Sequence, residues 1–91
     1  VDDRAESALA WELADAISPL LAVADRDRLY AALGSGDSYS AIDAVLQNVA
    51  HHRFPLPTEL ITELAEWLTA YAHSDEAPRL HRLLRTIRSL H

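Results

Sequence analysis

The groups in this sequence able to do chemistry are five histidines, fourteen carboxylates and eight basic residues, all of the last arginine. The histidines, His51, His52, His73, His81 and His91, are the natural candidates for a metal site. Helical metal sites usually take two ligands three or four residues apart on one face, and no two of these histidines have that spacing. His51 and His52 are adjacent, so on a helix they point about 100° apart. In a last helical turn they suit the exposed carbonyls there, and the expectation is no metal.

The carboxylates invite the same test for hydrolytic chemistry. Glu12 and Asp15 lie three apart, as do Glu63 and Glu66, so each pair shares a helix face. A catalytic acid needs burial or a coupled charge to raise its pKa, whereas the apolar pattern puts both pairs on solvent-facing sides. There is no cysteine to act as a nucleophile. The serines fall mainly at caps and loops, with no GxSxG elbow to present one. The stretch Gly34–Asp37, GSGD, sets two glycines around a serine, but no lysine and threonine follow as in a phosphate-binding loop. No catalytic residue, cofactor or metal is expected, and the chain reads as non-enzymatic.

The arginines carry more information. Arg79, Arg82, Arg85 and Arg88 stand three apart in PRLHRLLRTIRSLH, opposite Leu80, Leu83, Leu84, Ile87 and Leu90. A spacing of three drifts by about 60° per step, so the four fan across the outer side of a helix. Residues 1–78 hold four arginines against fourteen acids, a net of -10, so the body should repel nucleic acid and only this helix could attract it. DNA readers usually mix polar base-reading residues among the basic ones, and this side offers His81, Thr86 and Ser89 besides arginine. A helix-turn-helix made of the third and fourth helices would place Glu59, Glu63 and Glu66 on its recognition face, where they oppose phosphate. The favoured expectation is that the arginines meet the protein's own acids, for example those of the fourth helix across an antiparallel hairpin, or are solvated. An acidic protein or a second copy comes next, and nucleic acid last.

The elements that must position these groups are helices. With two glycines and four prolines, the chain has too little turn punctuation for a sheet protein. The first helix opens near Asp2 and Asp3, whose charge suits a helix N-terminus, and Leu9, Leu13, Ala16, Ile17 and Leu20 mark its apolar face. Trp11 falls outside that stripe, so it is either covered by the neighbouring short helix or the N-terminal turn, or exposed as a contact residue. Pro19 leaves two readings, a kinked helix to about Val23 or a break at Ser18. Asp25 caps a short second helix that buries Leu29 and Leu33 and stops at a left-handed Gly34. The third helix runs from Asp37–Ser40 to about Arg53 with Ile42, Val45, Leu46 and Val49 inward, and Phe54 leaves it because Pro55 follows. The fourth starts at Pro57, buries Leu60, Ile61, Leu64, Trp67, Leu68 and Tyr71, and ends near Ala72 or His73. Pro78 opens the fifth. The fold class is all-α, a compact bundle of four to five short amphipathic helices in a single domain over 1–91.

A core of this size buries about 60 to 65% of the surface exposed by the unfolded chain. The lack of cysteine leaves the redox compartment open. No apolar run approaches the roughly 20 residues of a membrane span and no basic-then-apolar leader opens the chain, so a cytoplasmic location and no membrane partner are expected. From the start at Val1 and the absence of Met, the expectation is that a few leading residues are missing. The reading is a non-catalytic protein–protein interaction or regulatory module, with self-association into a homodimer as one form of it. Its candidate surface is Trp11, Arg79, Arg82, Arg85 and Arg88. Two alternatives follow: nucleic-acid binding through the last helix, and a small acidic inhibitor or immunity-type protein that masks a basic target.

Overall fold

Among the described residues the chain forms five α-helices: α1 Asp3–Ile17, α2 Val23–Gly34, α3 Ser38–His52, α4 Thr58–Thr69 and α5 Ala77–Ser89, with a 3-10 turn at Ser18–Leu20. The computed structural model describes residues 3–90, with side chains from Arg4 onward; Asp2 and His91 lie outside the described residues. The class is all-α, as the periodicity predicts. Among the described residues no helix is long and apolar enough to cross a membrane.

Helix order around the core follows from which apolar faces meet. Helix α1 packs on α3, α3 on α5, α5 on α4 and α4 back on α1, which closes a four-helix ring. Helix α2 lies outside the ring against α1 and α3. Consequently α1 and α5 stand diagonally across the core. The centre is apolar: Leu13, Ile17, Ile42, Leu46, Leu64, Trp67, Leu80 and Ile87 are almost fully enclosed, and no polar or charged residue is buried among those described.

Helix ends differ from the sequence reading in ways that local geometry explains. Pro19 breaks the chain and does not kink it. Helix α1 stops at Ile17, Ser18–Leu20 make a 3-10 turn, and Leu21 and Ala22 are extended before α2 begins. The break resets the helical phase, so Leu21 is buried while Leu20, expected on the apolar stripe of the first helix, is 45% exposed. Asp25 does not cap α2; Ala22 precedes the helix and Asp25 lies in its first turn. Gly34 stays helical. The left-handed residue is Gly36, φ 80°, whose N–H donates to Leu33 O at 3.1 Å while Asp37 N–H donates to Ala32 O at 3.0 Å. That pair of bonds closes the last turn two residues later than expected, at a backbone conformation glycine adopts without cost.

Asp37 then starts α3, its Oδ1 accepting from the Ser40 N–H at 3.2 Å. Arg53 ends that helix in the left-handed region, φ 56° and ψ 42°, where a non-glycine residue is strained. Helix α4 ends at Thr69, three residues short of Ala72, and a series of turns carries the chain to Ala77. Leu56, between two prolines, is buried without belonging to any helical stripe.

Candidate functional site

The five residues singled out from the sequence do not form one surface. Trp11 lies on α1 and the arginines on α5, across the core from each other. Within the arginine series, Arg79 separates from the rest.

Arg79 is occupied. Its Nη1 and Nη2 donate to Asp43 Oδ1 and Oδ2 at 2.8 and 2.9 Å, and its Nε donates to Glu76 Oε2 at 2.7 Å. This two-pronged geometry matches the planar guanidinium to a carboxylate and ties α5 to α3. The partners are Asp43 of α3 and Glu76 at the head of α5, where the sequence pointed to the acids of α4. Packing gives the reason. Helix α4 has its Glu63 and Glu66 side toward α1, where with Ala5, Leu9 and Trp67 they line a pit of about 140 Å³. The acids of α4 therefore point away from α5. Burial pushes the Asp43 carboxyl up, but hydrogen bonds from Arg79 and Gln47 and the Arg79 charge outweigh it and hold the carboxyl below its usual range. The hydrogen bonds to Asp43 and Glu76 push the Arg79 guanidinium further up.

Arg82, Arg85 and Arg88 are exposed. Among the described residues none of them forms an ion pair, which leaves three cations on the outer side of α5. Leu90, at the end of the α5 stripe, is 36% exposed because it lies past the last turn.

Trp11 is 42% exposed, and the reading that a neighbour covers it holds only on one side. Tyr30 of α2 packs against it, ring centres 5.9 Å apart and tilted by 48°. The Tyr30 hydroxyl donates to Asp15 Oδ1 at 2.9 Å, which fixes the ring that supports Trp11. Trp11 and Asp15 are one α1 turn apart, so a single carboxylate couples the two helices at this point. Exposed acids share the two helices of the pair: Glu12 follows Trp11 and Asp15 lies one turn on in α1, and Asp27 lies one turn before Tyr30 in α2. Arg4, two turns before Trp11, and Arg26, one turn before Tyr30, are the basic residues near this face. Val23 lies seven residues before Tyr30, on the same side of α2, and is 63% exposed.

A third polar cluster lies in the seam between α1, α3 and α4. Glu6 Oε2 accepts from Trp67 Nε1 at 2.7 Å and also from the Tyr71 hydroxyl. The Tyr39 ring closes the group, 5.6 Å from Trp67 and 5.1 Å from Tyr71. Burial, then the charges of Asp43 and Glu76, push the Tyr39 hydroxyl above its ordinary value. The sequence reading took Trp67 as core and missed Glu6. The signal was there: Glu6, Leu9, Ala10 and Leu13 share helical spacing, so a carboxylate stood on an apolar face where it needed donors.

The remaining candidates for chemistry stay apart. His51 and His52 occupy the last turn of α3 with ring centres 4.7 Å apart, and His52 stacks on Phe54 at 5.1 Å. Among the described residues no three of His, Asp and Glu gather as a metal site requires. A groove of about 660 Å³ between α2 and α3, lined by Arg28, Leu29, Asp43, Gln47, Asn48 and His51, is open and of mixed charge. Helices α3 and α4 meet through Tyr39 and Trp67, with Tyr71, just past α4, against the same Tyr39 ring.

Comparison with family models, curated proteins and solved structures finds no match to this chain.

Proposed function

We propose that this protein is a non-catalytic interaction module that takes a basic protein partner on the face formed by α1 and α2. The observation that carries the reading is Trp11: a large aromatic side chain left 42% exposed, held against Tyr30, with Glu12, Asp15 and Asp27 exposed on the same two helices. Tryptophan and tyrosine supply much contact area at low entropy cost, and a fixed ring loses less on binding than a free one. These carboxylates favour a cationic partner, whose guanidinium groups also stack on indole faces. The non-catalytic part of the reading is supported by the use to which the shifted groups are put: Asp43 and Arg79 pair with each other and join α3 to α5. A cytoplasmic setting belongs to the same proposal, and fractionation of the native source would test it.

Titration with an unstructured nona-arginine peptide tests the face directly. Trp11 emission shifts on binding, while Trp67, 1% exposed, serves as the silent reference. The expected result is that Trp11→Ala weakens binding at least tenfold, and equal binding by both proteins would remove the reading. Mixed-sequence DNA at low salt is expected not to bind, because six exposed carboxylates on α1, α2 and α4 oppose phosphate. Binding with a steep salt dependence would instead favour the α5 arginines as a nucleic-acid site.

A further inference from the structure

We infer that the basic partner of the Trp11 face is the arginine row of a second copy of this chain, so that copies join head to tail. The inference rests on the function proposed above and names the occupant. Two placements carry it. Arg82, Arg85 and Arg88 are exposed and unpaired among the described residues, and the exposed Trp11 rests on a half-buried Tyr30, with Glu12, Asp15 and Asp27 exposed on the same two helices. These are complementary in charge and in chemistry: guanidinium planes stack on indole and phenol rings, and their methylene stems cover apolar surface beside them. Exposed ion pairs alone hold little, so the aromatic pair supplies the apolar contact that the charges need.

The dimensions agree. From Arg82 to Arg88 the row rises about 9 Å along the helix axis, and Trp11 to Asp15 rises about 6 Å with Tyr30 beside them, so two or three arginines span the face. The net charge of -6 makes two copies repel at long range. Screening limits that repulsion: at physiological salt the Debye length is about 8 Å, shorter than the smallest molecular extent of 23 Å. The surfaces that face each other then decide, and here they are opposite in sign.

The diagonal placement of α1 and α5 sets the symmetry. Each copy presents the acidic aromatic half on one side and the arginine half on the other, so the contact is heterologous and leaves a free half at each end. It propagates into a ring or a filament, where a two-fold dimer would stop.

Sedimentation of the full chain over increasing concentration tests this at about physiological salt and again at about 1 M salt, where screening is near 3 Å. The mass is expected to rise beyond that of a dimer at the lower salt and to return to the monomer at the higher. Trp11→Ala alone and Arg82→Glu/Arg85→Glu alone should each stay monomeric, since each lacks one half. Mixed in equal amounts, they should form a dimer and nothing larger, because one intact half remains on each partner. If Trp11→Ala fails to melt cooperatively, Glu12→Arg serves in its place. A wild-type chain that stays monomeric at every concentration, or a mixture that stays monomeric, overturns the inference. Nona-arginine binding lost in Trp11→Ala, beside a monomeric wild type, would leave the basic-partner reading standing and remove the self-partner; no nona-arginine binding would remove both.

Discussion

Trp67 and Trp11 sit on neighbouring helices, α4 and α1, yet their surroundings are opposite. Trp67 is 1% exposed, its indole N–H donates to Glu6, and Tyr39 and Tyr71 lie against its ring. Trp11 packs against Tyr30 and is still 42% exposed. The first arrangement joins the Trp67 indole N–H and the Tyr71 hydroxyl to one Glu6 carboxylate, which is how a fold is locked. The second holds a large ring in place without completing its contacts, which is how a surface is kept ready for a partner. The arginines repeat the contrast within one helix: Arg79 is consumed by Asp43 and Glu76, and Arg82, Arg85 and Arg88 are not.

Removing the ring at the closed site should have the largest effect. Trp67→Ala empties the centre of the α1–α3–α4 seam and leaves Glu6 without its indole donor, and is expected to cost about 3–5 kcal/mol by thermal or urea unfolding. A loss under about 1 kcal/mol would mean that the seam collapses around the void and that Trp67 is not the lock described.

An intermediate effect is expected from Arg79→Ala. The pair is only partly shielded, with the Arg79 side chain 37% exposed and that of Asp43 17%, so the loss should be about 1–2 kcal/mol, between the values for exposed and buried pairs. Its pH dependence is the sharper measurement. Asp43 is held below its ordinary value in the folded state. A carboxyl of that kind adds stability that is fully present above its unfolded value of about 3.9 and disappears as the pH falls through the lower native value. The difference between wild type and Arg79→Ala should therefore be constant from about pH 7 to pH 5 and narrow below about pH 4. A difference unchanged to pH 2 would show that Arg79 acts by packing and not through its charge.

The smallest effect on stability belongs to the open site. Trp11→Ala removes one aromatic pair and should cost about 1 kcal/mol or less. If it costs as much as Trp67→Ala, Trp11 is structural and the contrast between the two tryptophans disappears.

Much of the fold was legible because an amphipathic helix writes its buried face directly into residue spacing. Leu29 and Leu33, the α3 set Ile42, Val45, Leu46 and Val49, and the α4 set from Leu60 to Leu68 are all inward as read. The failures fall where the phase is interrupted. Leu20 follows a break that spacing alone could not distinguish from a kink, and Leu56 sits between two prolines with no period to reveal it. Gly34 and Gly36 were equally suited by type to end α2, and the hydrogen bonds to Leu33 and Ala32 selected the second. Of the candidate surface, exposure of three arginines could be anticipated from their positions opposite the apolar stripe, whereas Trp11, outside its stripe, could have been covered or exposed. Their separation onto two sides of the molecule could not.

Residue spacing by itself determined the helical class, the approximate helix ends and the inward faces, since these depend on contacts within about one or two turns of the chain. The sequence also determined that half of the positive charge gathers in one helix and that Arg28 and Arg79 stand three residues from Asp25 and Glu76. Tertiary structure alone decided which charges meet across helices, because that pairing depends on the order of helices around the core and on their rotation about their own axes. By packing α5 between α3 and α4, it brought Asp43 to Arg79. By turning the acids of α4 toward α1, it left Arg82, Arg85 and Arg88 without them.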